Sequence, residues 1–143
     1  MADKPCVFCQ IVAGESTAHE VWRDERIVFF FLDTKPVFHG HVLMVPTVHI
    51  RTYDQLPIDL AEHWLTTSQR LQLAVQEAQG AEGSLILMNN IVSQSVPHLH
   101  LHVIPRVRKD GLRFWLGPRH PYASDEQAAE TAARIKAALS LPA

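Results

Sequence analysis

The stretch Ser95-Val96-Pro97-His98-Leu99-His100-Leu101-His102-Val103-Ile104-Pro105-Arg106 carries the strongest signal in this chain. Histidine alternates with Leu99, Leu101 and Val103, which is the period of a β-strand. Successive strand side chains point to opposite faces, so His98, His100 and His102 project together while the aliphatics pack on the other side. Pro97 and Pro105 bracket the run, as expected of residues that cannot donate to a ladder. At ~3.3 Å rise per residue the imidazoles stand roughly 6–7 Å apart. Such a row suits metal or anion binding, proton transfer or nucleophilic attack. A purely structural role is the weaker reading, because each ring brings a donor and an acceptor that packing alone does not satisfy.

Outward from that run, two buried strands are expected upstream, Ile27 to Leu32 and Val42 to Val45, the latter entered from Gly40 and closed by Pro46. Asp33-Thr34-Lys35-Pro36 reads as a turn or loop. Between Pro57 and Gln79 the period becomes helical, with Leu60, Trp64, Leu71, Val75 and Ala78 on one stripe and Gly80 as the stop. Leu85 to Met88 is a further strand, and Asn89 to Gln94 is the loop into the histidine run. A short helix is expected from Pro5 to Val12, stopped near Gly14. Ser124 with Gln127 resembles a capping box opening a last helix, with Ala128, Ala132, Ile135 and Leu139 as its apolar stripe. The class expected is α+β, a mostly antiparallel sheet packed by helices.

The 143 residues are 47% hydrophobic and 20% charged, the balance of a globular chain, and fit one domain. A net charge of −2 with neutral histidines gives no argument for a nucleic-acid or membrane partner. Nine histidines are the outlier; their protonation near pH 6 would favour anions. The N-terminus has no signal-peptide pattern and the longest apolar run is Ile27 to Leu32, so a soluble, reduced, cytoplasmic protein is expected. The two cysteines, Cys6 and Cys9, are no disulfide scaffold. Their Cys-x-x-Cys spacing is either half of a zinc site completed by histidines or a pair of free thiols.

Neutral imidazole attacks phosphorus well, and the ordinary histidine pKa of ~6.5 leaves it mostly neutral at pH 7. His100, in the middle of the row, is the candidate nucleophile, with His98 and His102 placed to hold phosphate oxygens or pass a proton. Gln94 and Ser95 could point donors at the same phosphate. In Phe38-His39-Gly40-His41, Gly40 allows close backbone approach or a positive φ. His41 enters the strand and could buttress the row, whereas His39 reads as an exposed turn residue. Arg106, Arg108, Lys109, Arg113 and Arg119 form a basic loop, by default solvated, that could steer a polyphosphate. Phe114 and Trp115 in that loop are read as packing residues.

His98-Leu99-His100-Leu101-His102-Val103-Ile104 resembles the histidine-triad signature. Cys6-x-x-Cys9, Phe31-Leu32-Asp33, Gly40-His41, Pro46-x-x-His49 and the Gln94-Ser95-Val96 lead-in are similar, in order, to bacterial members of that family. Pro105-Arg106 and the alanine-rich last helix resemble its fragile-histidine-triad branch. The resemblance implies one histidine-triad domain over residues 1–143. It also implies a five-stranded antiparallel sheet with a long central helix and a C-terminal helix, dimerising into a continuous sheet. The implied chemistry is hydrolysis or transfer at the α-phosphorus of a purine nucleotide conjugate, a dinucleoside polyphosphate or a nucleoside phosphoramidate, without a metal in the chemical step.

In that scheme His100 forms a nucleotidyl-histidine, His102 and His98 support phosphate and leaving group, and His41 orients the row. Asp33 contacts ribose, Gln94 and Ser95 lie on the phosphate side, and Asn89 or Asn90 faces the phosphate. Zinc-containing members imply a structural zinc at Cys6, Cys9, His49 and His98, which sets a metal role for His98 against a phosphate role; the metal role is taken first. Two departures stand out. The Asn89–Gln94 loop is about two residues shorter than usual, with Ser93 in place of a glycine, and Thr47 replaces a common lysine. Two competing readings are a zinc hydrolase with a catalytic metal on His98, His100 and His102, and a nucleotide-binding interaction module with incidental activity. A histidine nucleophile further predicts that rate falls in acid, with a pH-dependent rate between pH 5 and 8.

Overall fold

The computed structural model describes residues 5–31, 36–113 and 118–139, with the side chains of Phe29 and Phe31 outside that description. The chain divides into two compact units, residues 1–110 and 111–143. The first contains helix α1 (Val7–Val12), strands β1 (His19–Arg23), β2 (Ile27–Phe31) and β3 (Val42–Pro46), helix α2 (Ile58–Gln79), and strands β4 (Gly83–Leu87) and β5 (Leu101–Arg106). The second contains helix α3 (Asp125–Ala138).

The five strands form one sheet in the order β1-β2-β3-β5-β4, and every pairing is antiparallel. Both faces of its centre are covered. Ile27, Val42, Met44, Leu99, Leu101 and Val103 pack with Leu60, Trp64, Leu71 and Val75 of α2. Val28, Phe30, Leu43 and Val45 pack with Phe8 and Ile11 of α1. This two-sided burial explains why β2 and β3 read as unbroken apolar runs instead of alternating ones. Phe8 is fully buried, a contribution of about 2–3 kcal/mol for a side chain of its size.

β1 has no counterpart in the pattern reading. All five of its residues are exposed and it lies at the sheet edge, so no buried face imposes alternation on it. The histidine run is also divided differently from expectation. β5 begins at Leu101, and His98 to His100 precede the ladder. There the Leu99 N–H donates to the carbonyl of Ile50 at 2.7 Å, so a loop takes the place of a neighbouring strand. Pro105 does not end the run: it lies within β5, opposite Ser84.

α2 ends as expected, with Gly80 in the left-handed region at φ 59°. Its stripe differs in that Ala78 is exposed while Thr67 and Ser68 are buried. Gly40 has φ +89°, and a Cβ there would stand 2.5 Å from Gln79 Cγ, so both the conformation and the close approach require glycine. Ser124 caps α3 by accepting the Gln127 N–H at 3.2 Å, while the Gln127 side chain accepts from the Ala123 N–H at 2.7 Å, a capping box displaced by one residue. The expected apolar stripe of α3 is not covered: Ile135 and Leu139 are exposed, and no residue of this helix is buried. Helical periodicity marks a face able to pack, not what packs on it.

Candidate active site and metal centre

The α1 face of the sheet carries the histidines. His102 pairs with Leu43 across the β3–β5 ladder and so shares the face that Leu43 presents to Phe8. The Phe8 ring meets His98 and His100 edge-on, with centroids 5.8 and 5.1 Å away. His100 and His102 are themselves 4.9 Å apart, centroid to centroid. His98 and His100 are buried, and His102 is half-buried.

Hydrogen bonds assign a different job to each ring. The Nδ1–H of His100 donates to the carbonyl of His98 at 2.7 Å, which leaves a lone pair on Nε2. Val37 donates its backbone N–H to His41 Nδ1 at 3.4 Å, so the proton of His41 sits on Nε2. That Nε2–H lies 2.9 Å from His102 Nδ1 and donates to it, placing the His102 proton on Nε2. His102 Nε2 is buried and has no hydrogen-bond partner among the described residues. A lone pair on His100 and a donor on His102 therefore stand side by side. Burial lowers the pKa of both rings, and His102, which also faces His100 and His41, falls to about 4. Both are neutral at pH 7.

His98 belongs to another centre. Its Nε2–H donates to the Pro46 carbonyl at 2.9 Å, and its Nδ1 lies 3.5 Å from both Cys6 Sγ and Cys9 Sγ. His49 Nδ1 is 3.2 Å from Cys9 Sγ. The ligand atoms of Cys6, Cys9, His49 and His98 all lie within 4.8 Å of one another. A tetrahedral zinc, with Zn–S ~2.3 Å and Zn–N ~2.0–2.1 Å, sets sulfur and nitrogen roughly 3.5 Å apart. The donor set and its spacing fit that ion, and the Pro46 carbonyl fixes the His98 tautomer a zinc ligand requires. Burial, together with the Cys6 thiol, pushes the Cys9 thiol up to about 11, so binding a cation here displaces a proton. Both ring nitrogens of His98 are thus committed, leaving none for a phosphate. The three histidines of the row also do not converge: the grouping of potential metal ligands found among the described residues holds His98 without His100 or His102. This removes the ligand set of the catalytic-metal reading.

The remaining sequence candidates separate. Asn90 Oδ1 accepts the Tyr53 N–H at 2.7 Å and ties two loops together. The Gln94 amide donates to the Arg51 carbonyl at 2.6 Å and accepts from the Ile91 N–H at 3.3 Å, so it shapes the loop. Asn89 is half-buried and Ser95 exposed. Ser93, where a glycine is customary, has φ +60°, and Ile91 has φ +68°. Thr47 donates its hydroxyl to the Glu25 carbonyl at 2.9 Å, pinning the β1–β2 turn. His39 is exposed. Arg106 is paired with Asp110 and Arg108 with Glu82, so these two cations of the basic loop are answered by carboxylates. Arg113 and Arg119 belong to the second unit. Asp33, Phe114 and Trp115 lie outside the described residues.

The sheet order and the histidine face define a protein of the histidine-triad class. The HIT domain family model matches residues 13–109, and the chain belongs to that family. It is 32% identical over 143 residues to the adenylylsulfatase HINT3 of Arabidopsis thaliana, covering 96% of this chain and 71% of the relative. It is 34% identical to the Protein hit of Bacillus subtilis, covering 73% and 72%. A solved member of the HIT family from Bacillus subtilis superposes with a TM-score of 0.81 at 29% identity, covering 97% of this chain and 100% of that one. A Zn-bound histidine triad family protein from Mycobacterium smegmatis gives a TM-score of 0.69 at 31% identity, covering 94% and 98%. Among the described residues no helix is long and apolar enough to cross a membrane.

Proposed function

We propose that this protein is a nucleotide hydrolase or nucleotidyltransferase acting at the α-phosphorus of a purine nucleotide conjugate. The observation that carries this is the His100 ring, held by its Nδ1–H on the His98 carbonyl with Nε2 left as a lone pair. His100 Nε2 attacks phosphorus, an N–P bond forms, and the bond to the leaving group breaks. Water then attacks the nucleotidyl-histidine, the N–P bond breaks, and a nucleoside monophosphate is released. His102 Nε2–H donates to a phosphate oxygen as charge develops there. With its pKa near 4, His102 is a hydrogen-bond donor at neutral pH and not an acid. The reading therefore favours leaving groups that depart as stable anions, such as polyphosphate or sulfate, over amines. The name of the HINT3 relative, an adenylylsulfatase, adds support for the sulfate case. Asn89 and Ser95 are the assigned phosphate-side contacts, and Asp33 the ribose contact.

Zinc at Cys6, Cys9, His49 and His98 supplies a structural cross-link between α1 and the segment that precedes β5. The protein is further inferred to be a homodimer. β4 is an edge strand, and Ile86 on it, with Leu65 and Leu73 on α2, is exposed. Sedimentation at micromolar concentration tests this.

The deciding experiment is turnover of diadenosine polyphosphates, adenosine 5′-phosphosulfate and an adenosine phosphoramidate by wild type and His100→Asn, with AMP release followed by chromatography. Wild-type turnover lost in the variant is expected. Full activity of His100→Asn on every substrate overturns the nucleophile, and no AMP from any substrate favours a binding role.

A further inference from the structure

On the α2 side of the sheet, away from the histidines, lies a cleft of about 480 Å³ between β1 and α2. It is lined by Val21, Trp22, Leu71 and Ala74 and by the polar residues Asp24, His63, Thr66, Thr67 and Arg70. None of these residues belongs to the nucleotide or zinc centres. The volume falls within the range of small-molecule sites, roughly 300–1,000 Å³, and the mixture of an apolar wall with a few polar groups is typical of them.

The polar groups are organised. His63 Nε2–H donates to Asp24 Oδ2 at 2.6 Å, and the hydroxyl of the buried Thr67 lies 3.4 Å from His63 Nδ1. The other carboxylate oxygen of Asp24 accepts the Arg26 and Ile27 N–H groups, both at 2.8 Å. Three of the roughly four acceptor positions of the Asp24 carboxylate are thus filled from within the protein. Arg70 differs: it makes no ion pair among the described residues, so its guanidinium is the cation the cleft offers.

We propose that this cleft binds an aromatic carboxylate, with the ring on the wall made by Trp22, Val21, Leu71 and Ala74 and the carboxylate on Arg70. A guanidinium matches a carboxylate in a planar, two-point geometry. The indole supplies the complementary face for a ring. The Asp24 carboxylate shares the same cleft and opposes a dianion, so a singly charged ligand is preferred to a phosphate monoester.

The test uses 2-naphthoate as probe, with 2-naphthamide and 2-naphthyl phosphate as controls, followed by amide and indole NMR shifts of the full chain. Saturable binding is expected, with shifts at Trp22, Thr67 and Arg70. The neutral amide and the Arg70→Gln variant should each bind about tenfold more weakly or worse. Arg70 is exposed, so its replacement leaves the fold intact, and AMP release by Arg70→Gln should equal that of wild type. Binding of 2-naphthoate should be the same in His100→Asn as in wild type. The proposal is overturned by absence of saturable binding, by an amide that binds as tightly as the acid, or by tighter binding of the phosphate. Loss of binding in His100→Asn would place the probe in the histidine site. Affinity that weakens as protein concentration rises would assign the cleft to a second copy of the chain.

Discussion

The main-chain carbonyl of His98 accepts the Nδ1–H of His100 at 2.7 Å, while the His98 ring faces the sulfurs of Cys6 and Cys9. One residue thus joins the candidate metal centre to the proposed nucleophile. The ring fixes where the backbone lies, and the backbone fixes which nitrogen of His100 is free.

Loss of zinc should therefore be felt in both stability and rate. Cys9→Ser is expected to lower bound zinc from about one per chain to a small fraction. At a hundredfold excess of zinc over Kd the wild type gains about 2.7 kcal/mol that the variant lacks. Metal analysis together with urea unfolding in zinc-buffered solution measures both; a variant that is zinc-free yet as stable as wild type would falsify the structural role.

His41 sets the His102 tautomer through its 2.9 Å contact with Nδ1. His41→Phe removes that donor while keeping an aromatic ring, and frees His102 to place its proton on either nitrogen. We expect kcat to fall on the order of tenfold to a hundredfold, less than the roughly hundred- to thousandfold cost of removing a charge-stabilising donor outright. Unchanged kcat with raised KM would instead give His41 a binding role.

The pH dependence follows from the lowered pKa values. Burial lowers the pKa of both His100 and His102, so the proposed nucleophile stays neutral to a lower pH than an ordinary imidazole. When chemistry limits, the rate should fall in acid at a lower pH than the ordinary imidazole value of ~6.5 would dictate. For stability the sign is the same. Because the folded His102 has a pKa of about 4 instead of 6.5, its contribution is complete above pH 6.5 and is lost as the pH falls towards 4. The loss amounts to up to about 3 kcal/mol. Rate profiles and urea midpoints across pH 4–8 check both, and a rate that halves near pH 6.5 contradicts the burial argument.

Ile91, exposed and at φ +68°, is a β-branched residue in the left-handed region. Ile91→Gly should stabilise the protein by about 1 kcal/mol, the relief of strain outweighing the added flexibility of the unfolded chain. Thermal unfolding of the variant reads this directly; a lower midpoint would mean that Ile91 packs on something in solution.

Much of the fold was legible because burial leaves a periodic trace. The helical stripe of Leu60, Trp64, Leu71 and Val75 predicted α2, and the apolar runs at Ile27 and Val42 predicted two central strands. β1 left no trace because none of its residues is buried. Ala78 and the stripe of α3 show the opposite failure, a periodic pattern whose residues are not buried. In the candidate site, the histidine alternation could be read directly, and the four candidate zinc ligands followed from the family resemblance. The cleft around Arg70 could not be read at all: Asp24 and His63 are 39 residues apart, and neither carries a local motif.

By itself, the order of residues determined the alternation of three imidazoles with three aliphatics, although only His102 lies within β5 and His98 and His100 precede it. It also determined a glycine-stopped central helix and an antiparallel, helix-packed sheet. Only the tertiary structure decided what each imidazole does. Its chemistry depends on which nitrogen holds the proton, and that is set by partners distant in the chain: Pro46 and the cysteines for His98, and His41 for His102. For His100 the partner is close in sequence, the His98 carbonyl, but the bond exists only because the fold holds that backbone in place.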